Sequence, residues 1–446
     1  MPGDLLNEPL PAPTPPAPPR TTACPGLLRI VAARDGGLCR IKLPGGVLTA
    51  SAARAVAQAA RKYGNGAVDI TNRANVQLRG IEPARRAALI EELMAAGLGP
   101  ASPAADDVRN LMLSPMAGLD PAAALDTRPL ASALLQTLER TPRYHQLSPK
   151  FAIQLDGGEA LAELHHHHDV WLSPLWIEGT LHLALGLASE IGGANPVAAV
   201  PADQGLTLLL GVLDRFLELA GPAPGRLREL LVTCPPQALL EGLPVSFTPG
   251  TLPSVPERWV PPVLGVHPQQ QAGQVAVGFA PPLGRLPADA LAALASLTEE
   301  MAGGELRLTP WQGLLLPHVP LESAPHLQAR AQALGLLISG DQPLASLVAC
   351  TGSAGCNRAL ADTKGDARRL AVLLGQAVPV HLSGCARSCA QASVAPVTLL
   401  ATEPGRYDLF FRDPSAPGFG RLQGSDLTLQ DAATQIAACS RSTFDD

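Results

Sequence analysis

The sequence predicts an internally duplicated α/β protein in which a small α/β half-domain is followed by a larger α/β domain, twice over. One observation is an order of strand, turn, helix and two strands near the amino terminus that returns in the second half of the chain. Another is a constant register, because Pro44 and Pro282, like Thr71 and Thr309, are separated by 238 positions. The length of 446 residues also exceeds what one hydrophobic core usually organises.

Hydrophobic periodicity defines the elements of the first unit. Alternation in Cys39–Leu43 predicts a half-buried strand, with Arg40 and Lys42 on the face away from the core. Thr49 or Ser51 can cap the helix that follows. The remaining predicted elements are strands over 67–70 and 75–81 and a helix over 84–96.

The second unit repeats this order. Its predicted elements are a strand over 275–279, a turn over 282–284, a helix over 288–301 and strands over 306–309 and 314–319. The segments after each unit also correspond, since Leu147-Ser148-Pro149-Lys150 is similar to Leu382-Ser383-Gly384-Cys385 at an offset of 235. We therefore predict a tail over 1–20, a first half-domain over 21–100, a first larger domain over 101–242, a linker and second half-domain over 243–325, and a second larger domain over 326–446.

Composition excludes several classes of partner and location. Eight of the first nineteen residues are proline, so we expect the tail to be disordered. A net charge of -6 shows no basic excess, which argues against nucleic acid as a partner. The chain has no apolar run of about 18 residues and begins with no signal-peptide pattern. We expect a cytoplasmic protein that does not bind membranes.

Half of the eight cysteines lie within forty residues of one another, at Cys350, Cys356, Cys385 and Cys389. A cytoplasmic chain of this size has no need of disulfides, so the crowding favours metal binding. Four thiolates complete a [4Fe-4S] cluster, and the i, i+4 spacing of the last two would put their sulfurs on one helical face. Gly384 would let the backbone approach the cluster. Zinc and separate buried thiols are the alternatives, although structural zinc sites usually have closer pairs.

Polar and basic side chains are concentrated on two segments of the first unit. Arginine pairs with carboxylate through two parallel hydrogen bonds, so such a face suits a ligand that carries several carboxylates. A solvated sheet face is the alternative. The residues are Arg40 and Lys42 on one strand and Arg73, Asn75, Gln77 and Arg79 on the other segment.

Several motifs resemble those of the sulfite and nitrite reductase superfamily, over nearly all of the chain after the tail. Around the cysteines they are ACTGSAGCNRALADTKGDA and HLSGCARSCAQ, and GCARSCA is most similar to the precorrin-3B synthase branch. In the first half they are CRIKLPGG, ITNRANVQLRG, VRNLMLSPMAGLDP and LSPKF. The resemblance implies an α/β (α+β) fold with two ferredoxin-like half-domains and two larger domains, a [4Fe-4S] cluster and a tetrapyrrole pocket.

The resemblance also implies roles for individual residues. Arg40, Arg109 and Lys150 match positions that meet the substrate in siroheme-containing reductases, which makes them the candidate catalytic residues. A solvated turn is the alternative for Lys150. Arg73 and Arg79 match positions near the macrocycle's carboxylates. Asn75 and Gln77 lie between them in the sequence, and all four are the candidate cofactor-binding residues.

One departure from the reductase pattern favours the precorrin-3B synthase branch. Sulfite reductases typically carry a second lysine two residues after the first, whereas this chain has Ala152. The loss of a cation weakens the case for reduction of a small oxyanion, because that chemistry needs focused positive charge and proton donors. The following Asp156-Gly157-Gly158 is also more similar to precorrin-3B synthases.

A run of four histidines, from His165 to His168, precedes Asp169. Two histidines and a carboxylate can bind a mononuclear non-haem iron, and the resemblance to precorrin-3B synthases implies such an iron. An exposed polar loop is the simpler interpretation. His145 and His381 are weaker candidates for metal binding.

The resemblance implies a monooxygenase of aerobic cobalamin biosynthesis that hydroxylates and lactonises precorrin-3A with O2. Its electrons would come from NAD(P)H through an external reductase or from a ferredoxin, since the sequence has no glycine-rich dinucleotide fingerprint. One alternative is a siroheme-dependent nitrite or sulfite reductase, in which Cys389 would bridge the cluster and the siroheme iron. Another is a non-catalytic iron-sulfur or tetrapyrrole-binding protein.

Overall fold

Four five-stranded sheets organise the part of the chain that the computed structural model describes, residues 24–100, 102–391 and 393–442. The predicted tail over 1–20 lies outside these residues. Two sheets belong to the repeated small units and two to the larger domains, which confirms the duplicated mixed α/β architecture. Among the described residues, no helix combines the length and apolar character needed to cross a bilayer.

The first unit forms the elements that its periodicity predicts. In chain order they are β1 (Val31–Ala33), β2 (Gly36–Ile41), β3 (Val47–Thr49), α1 (Ala50–Tyr63), β4 (Ala67–Ile70), β5 (Val76–Ile81) and α2 (Arg86–Ala95). Thr49 caps α1, because its Oγ1 accepts a hydrogen bond from the backbone N–H of Ala52 at 3.2 Å. The bounds of β4 are those predicted, and α2 begins two residues late because Pro83 starts a short 3-10 turn before it.

The first larger domain packs three helices against a five-stranded sheet. Its elements are β6 (Leu111–Leu113), α3 (Arg128–Arg140), β7 (Ile153–Leu155), β8 (His168–Ile177), β9 (Thr180–Ser189), β10 (Ala198–Pro201), α4 (Gly205–Ala220) and α5 (Leu227–Leu230). Strands β6, β7 and β8 are parallel, and β9 and β10 continue the sheet antiparallel. Leu209, Val212 and Phe216 recur at helical spacing on α4 and are buried in this domain's core.

The second unit has the same order of elements as the first. They are β11 (Gly265–Pro268), β12 (Gln274–Phe279), β13 (Arg285–Pro287), α6 (Ala288–Met301), β14 (Glu305–Leu308), β15 (Leu314–Pro320) and α7 (Ala324–Ala333). Helix α6 has the predicted bounds.

The second larger domain repeats the sheet of the first. Its elements are β16 (Leu347–Ala349), α8 (Thr363–Leu374), β17 (Val380–Ser383), β18 (Val397–Glu403), β19 (Arg406–Phe411), β20 (Arg421–Thr428) and α9 (Leu429–Ser442). Strands β16, β17 and β18 are parallel, β19 is antiparallel to β18, and β20 is antiparallel to β19. Identical strand directions in both sheets extend the duplication to the larger domains.

The two small units exchange an edge strand. Strand β13 of the second unit pairs with β4 of the first, and β3 of the first pairs with β14 of the second. Their helices α1 and α6 pack together, and one hydrophobic core contains buried residues of both units, such as Ala57 and Leu294. Each unit therefore completes the sheet of the other, and the two form a single packed body.

A five-residue loop occurs in both units with the same hydrogen bonds. In the first unit, Thr71 N–H donates to Asn75 O at 2.9 Å and Ala74 N–H to Thr71 O at 3.1 Å. In the second, Thr309 N–H donates to Gly313 O at 2.9 Å and Gln312 N–H to Thr309 O at 3.2 Å. We call these segments, 71–75 and 309–313, the paired loops. They connect β4 to β5 and β14 to β15.

One residue of each paired loop has a left-handed backbone. Ala74 has φ 53° and the equivalent Gln312 has φ 59°. This conformation costs a residue with a side chain on the order of 1 kcal/mol or more, and strained residues of this kind cluster at ligand sites. The duplication has therefore kept a costly conformation in both units.

Buried ion pairs tie the exchanged strands together and to the larger domains. The Arg285 guanidinium on β13 donates two hydrogen bonds of 2.7 Å to the Asp69 carboxylate on β4. Lys364 of α8 lies 3.8 Å from the same carboxylate and donates to the carbonyl of Leu283. Burial would raise the pKa of Asp69, but Arg285 and Lys364 hold it below its ordinary value.

The second unit uses the equivalent position differently. Arg307, which lies 238 positions after Asp69, donates to the backbone carbonyls of Pro115 at 3.1 Å and Ala117 at 2.8 Å. Each unit thus contacts a larger domain through a charged side chain at the same site of its sheet.

We predict that Asp69→Asn destabilises the whole protein by about 3 kcal/mol, because it leaves two largely buried cations without their counter-charge. The matched control is Glu299→Gln, which breaks the exposed Arg54–Glu299 pair between the same two units and should change stability little. Denaturant unfolding followed by circular dichroism measures both. Equal effects of the two substitutions would contradict the role given to the buried pair.

Candidate functional site

The four cysteines meet at one edge of the second larger sheet. Cys350 directly follows β16 and Cys385 follows β17, and these neighbouring parallel strands end at the same edge. Cys356 and Cys389 lie in the turns that continue from them. The helix predicted for the last two cysteines is wrong, because residues 384–391 form irregular turns.

The surroundings of the cysteines fit an iron-sulfur cluster. The backbone N–H of Gly384 donates to Cys350 Sγ at 3.3 Å, and a Cβ at this glycine would lie 2.6 Å from that of Ala359. Burial and the nearby thiols of Cys385, Cys350 and Cys356 raise the pKa of Cys389. Close thiols and a backbone donor aimed at sulfur are what a cluster bound by four thiolates requires.

No three histidine, cysteine or carboxylate side chains of the described residues converge closely enough to hold a single metal ion. The cysteines are compatible with this finding, because each thiolate of a [4Fe-4S] cluster binds a different iron, whereas the ligands of one zinc share a single centre.

A polar row crosses the first sheet opposite the cysteines. Arg40 on β2 is the cross-strand partner of Gln77 on β5, which in turn is paired with Asp69 on β4. With its amide oxygen turned towards Arg40, Gln77 accepts two hydrogen bonds from the guanidinium, at 2.8 and 3.1 Å. These residues line a cavity of about 130 Å³ together with Cys350 and Cys389. Arg40 and Gln77 are thus adjacent to the cysteines.

Arg79 and Lys42 instead connect parts of the protein. Arg79 is buried, forms hydrogen bonds of 2.9 and 3.1 Å with Asp35, and donates to the carbonyl of Gly355, next to Cys356. Lys42 is buried and donates to the carbonyl of Asp106, and burial lowers its pKa to about 8. Burial of Lys42 rules out the solvated face for this residue, and the contact of Arg79 with a ligand carboxylate stays a prediction.

A second group of predicted residues surrounds a narrow crevice. The Arg73 guanidinium has no hydrogen-bond or ion-pair partner among the described residues, and burial together with Arg226 and Arg40 lowers its pKa to about 10. Arg109 lies 3.0 Å from Glu139 through its Nε. The crevice is lined by Arg73, Asn75, Arg109, Asn110, Leu111, Met112, Ala152 and His168.

The surroundings of Asn75 and Lys150 differ from those of Arg73 and Arg109. Asn75 is buried, and its Oδ1 accepts a hydrogen bond of 2.8 Å from the backbone of Leu43, so its amide holds the chain together. Lys150 is exposed, and the structure shows its backbone N–H donating to Ser148 Oγ at 3.3 Å. The catalytic role of Lys150 stays a prediction.

The histidine run is not the exposed polar loop that was the simpler interpretation. His166 and His168 are buried with ring centres 4.6 Å apart, while His165 and His167 are exposed. Burial, with Arg73 for His166 and with His166 and Arg73 for His168, lowers the pKa of both. The Asp169 carboxylate is occupied by Arg226, at 2.8 Å, and by two backbone N–H groups.

A larger cavity, of about 380 Å³, continues from the small one. The two cavities share Asn72, Gln312 and Ala390, and the larger one extends to Glu163, His165 and His166. Asn72, Gln312 and Trp311 were not predicted from the sequence, although the internal repeat could have indicated Trp311. Trp311 lies 238 positions after Arg73, and so occupies the equivalent position of the second paired loop.

Comparison with known proteins agrees with this architecture. The family described as "Nitrite/Sulfite reductase ferredoxin-like half domain" matches residues 32–96 and 267–334, and "Nitrite and sulphite reductase 4Fe-4S domain" matches 104–231. A ferredoxin–nitrite reductase of Synechococcus elongatus is 32% identical over 82% of this chain and 76% of its own length. The chain belongs to the nitrite and sulfite reductase family. It is therefore an oxidoreductase of the iron-sulfur class.

Other relatives within this family differ in activity. A chloroplastic ferredoxin–nitrite reductase of Zea mays is 30% identical over 90% of this chain and 76% of its own. A precorrin-3B synthase of Sinorhizobium is 28% identical over 86% of this chain and 82% of its own. The solved structure of the Mycobacterium tuberculosis NirA protein has the same fold, with a TM-score of 0.73 and 23% identity over 91% of this chain and 80% of its own.

The region matched by the 4Fe-4S family description contains no cysteine, because it is the first larger domain. The cysteines lie in the second, which has the same sheet. In this nitrite and sulfite reductase family member, one copy of the domain carries the four cysteines predicted to bind the cluster, and the other carries Arg109 and the histidine run.

We predict that Lys364→Met lowers the reduction potential of the cluster by on the order of tens of millivolts, because a nearby cation stabilises the more negative reduced state. Lys364 lines the small cavity beside Cys350, and burial lowers its pKa to about 8, so it is mostly protonated at neutral pH. Lys62→Met, on the exposed surface of α1, is the control. A redox titration followed by electron paramagnetic resonance measures all three proteins, and unchanged potentials would contradict this role.

We predict that His381 makes the protein less stable in acid. Burial lowers its pKa from 6.5 to about 4, so the unfolded chain binds the proton first as the pH falls. Stability present above pH 6.5 is lost towards pH 4, by about 3 kcal/mol relative to His381→Asn. Thr398→Val, at the cross-strand partner, perturbs the same sheet without a titrating group. Unfolding curves across this range test the difference, and parallel pH profiles of wild type and His381→Asn would rule it out.

Proposed function

We propose that this chain is a precorrin-3B synthase-like monooxygenase, which hydroxylates and lactonises precorrin-3A with O2. The substrate is a tetrapyrrole with acetate and propionate side chains, and one of its acetates closes the lactone. One oxygen atom enters the macrocycle and the other is reduced to water by two electrons and two protons. A bound [4Fe-4S] cluster would supply electrons singly.

The observation that carries the proposal is the small side chain of Ala152 in the crevice of the first larger domain. Sulfite reductases typically carry a second lysine at this position of the sequence, and the backbone N–H of Ala152 donates to Asp169 at 2.9 Å. The crevice thus combines Arg73 and Arg109 with an apolar wall. Ala152 itself offers neither a cation nor a proton donor to a small oxyanion.

The arginines support binding of a polycarboxylate. Arg73 is half-buried, and its guanidinium has no partner in the described chain, so it is available to a ligand. A ligand carboxylate can form two hydrogen bonds with it. Arg40, held by Gln77, presents a second cation on the side of the cysteines. The two arginines would therefore orient one tetrapyrrole between the cluster and the first larger domain.

The surface beside the cysteines supports an external electron donor. Arg358 and Arg387 are exposed in the turns that follow Cys356 and Cys385. Positive charge of this kind steers an acidic protein such as a ferredoxin towards the cluster. A ferredoxin, or a reductase that uses NAD(P)H, would serve as the donor.

The second candidate is a siroheme-dependent nitrite reductase. The higher identity of the Synechococcus elongatus and Zea mays enzymes favours it, as does the placement of Cys389 in the cavity that Arg40 lines. The Sinorhizobium precorrin-3B synthase, however, is covered over a larger share of its own length.

We predict that the purified protein with its cluster intact yields no siroheme on extraction with acidic acetone. It should add one oxygen atom to precorrin-3A in the presence of O2 and a reductant, as measured by mass spectrometry. Cys385→Ser is the control without a complete cluster, and it should be inactive. Stoichiometric siroheme together with reduction of nitrite would contradict the proposal and favour the second candidate.

A further inference from the structure

The paired loops present different side chains at equivalent positions. The first carries Arg73 and the second carries Trp311, with the same backbone hydrogen bonds and a left-handed residue immediately after Arg73 and Trp311 respectively. Duplicated backbones with different side chains indicate two halves of one pocket with different tasks. One loop supplies a cation and the other an aromatic ring.

Trp311 is held in place on two sides. Its indole lies beside the Glu163 carboxylate, where burial raises the pKa of that carboxyl and the indole lowers it by less, and the ring packs against a hydrophobic cluster that contains Met116 and Leu161. The remaining surface lines the cavity of about 380 Å³. An aromatic ring that is fixed at its edge and open to a cavity is prepared to contact a flat ligand with little further loss of conformational entropy.

The neighbouring residue connects this loop to the cysteines. Gln312 donates through Nε2 to the carbonyl of Ala390 at 3.2 Å, and Ala390 directly follows Cys389. The left-handed backbone conformation of Gln312 persists only because the surroundings hold it, and strain of this kind is typical of ligand sites. The position of Trp311 is therefore fixed relative to the cluster-binding turn.

We propose that Trp311 is a specificity-determining residue that contacts the face or edge of the tetrapyrrole through its indole. The inference rests on the proposed tetrapyrrole site, but it holds for either the substrate or a siroheme. Arg73 would bind the carboxylates at the rim of the macrocycle, and Trp311 would contact its apolar body from the equivalent loop. Cofactor and ligand pockets commonly combine an aromatic wall with a few placed charges.

The test compares binding of uroporphyrin III, an octacarboxylate tetrapyrrole, by cluster-loaded protein in titrations of the Soret absorbance. Trp311→Leu should weaken binding roughly tenfold, through loss of the aromatic contact. Trp311→Phe should retain most of the affinity, because it restores a flat ring. The matched control is Trp176→Leu, on the exposed part of β8. Iron content and thermal unfolding verify that each variant is folded and loaded.

The outcomes separate this inference from the proposed function. Wild-type affinity in Trp311→Leu, or an equal loss in Trp176→Leu, would overturn the role of Trp311. A siroheme-free wild-type protein that fails to bind uroporphyrin III would overturn both the tetrapyrrole site and the inference. If siroheme is found in the purified protein and Trp311→Leu lowers its content while Trp311→Phe does not, the monooxygenase proposal fails and the role of Trp311 stands.

Discussion

The exchange of strands β3 and β13 is the constraint on which the rest of the structure depends. Because each small unit lends its edge strand to the other, neither sheet is complete without the partner unit. The shared core and the helix pair α1 and α6 then fix the angle between the two sheets. The row of Arg40, Gln77 and Asp69 is thereby held in one sheet, and the contacts of Lys364 with Asp69 and of Arg79 with Gly355 join that sheet to the domain of the cysteines.

The charged groups between the first unit and the larger domains are of two kinds, because some are paired within the protein and others are available to a ligand. Arg79 and Arg73 belong to the same segment, yet Arg79 is satisfied by Asp35 and Gly355, while Arg73 has no partner among the described residues. The buried guanidinium of Arg79 is tolerated because protein acceptors surround it, whereas the half-buried guanidinium of Arg73 is open to a ligand. The same distinction separates Asn75, whose amide holds the backbone of Leu43, from Gln77, whose amide orients Arg40.

Local patterns predicted the elements well because both units use regular amphipathic segments. The bounds of β4 and α6 and the capping role of Thr49 all follow from periodicity and capping chemistry. Sequence could not show that β3 and β13 change places, because they lie 238 positions apart and carry equivalent patterns, so either sheet would accept either strand.

The candidate site was predictable in its residue types more than in its geometry. The four cysteines could be grouped from spacing alone, whereas the turn that holds Cys385 and Cys389 depends on close packing at Gly384 that no periodicity encodes. Burial of His166 and His168 was equally hidden, because a polar run looks solvated until a neighbouring domain covers it. Trp311 was within reach, since the repeat that aligned Thr71 with Thr309 also aligns Arg73 with Trp311.

The exchanged strands also set the order of events during synthesis. When the first unit leaves the ribosome, the edge of β4 has no neighbour, and its partner β13 is made more than two hundred residues later. An open strand edge of this kind invites pairing with other chains. The first larger domain is synthesised in the interval, and it can fold as a unit of its own because its sheet draws no strand from elsewhere. Assembly of the small units, and with it the tetrapyrrole pocket that we propose, therefore waits for the second half of the nascent chain.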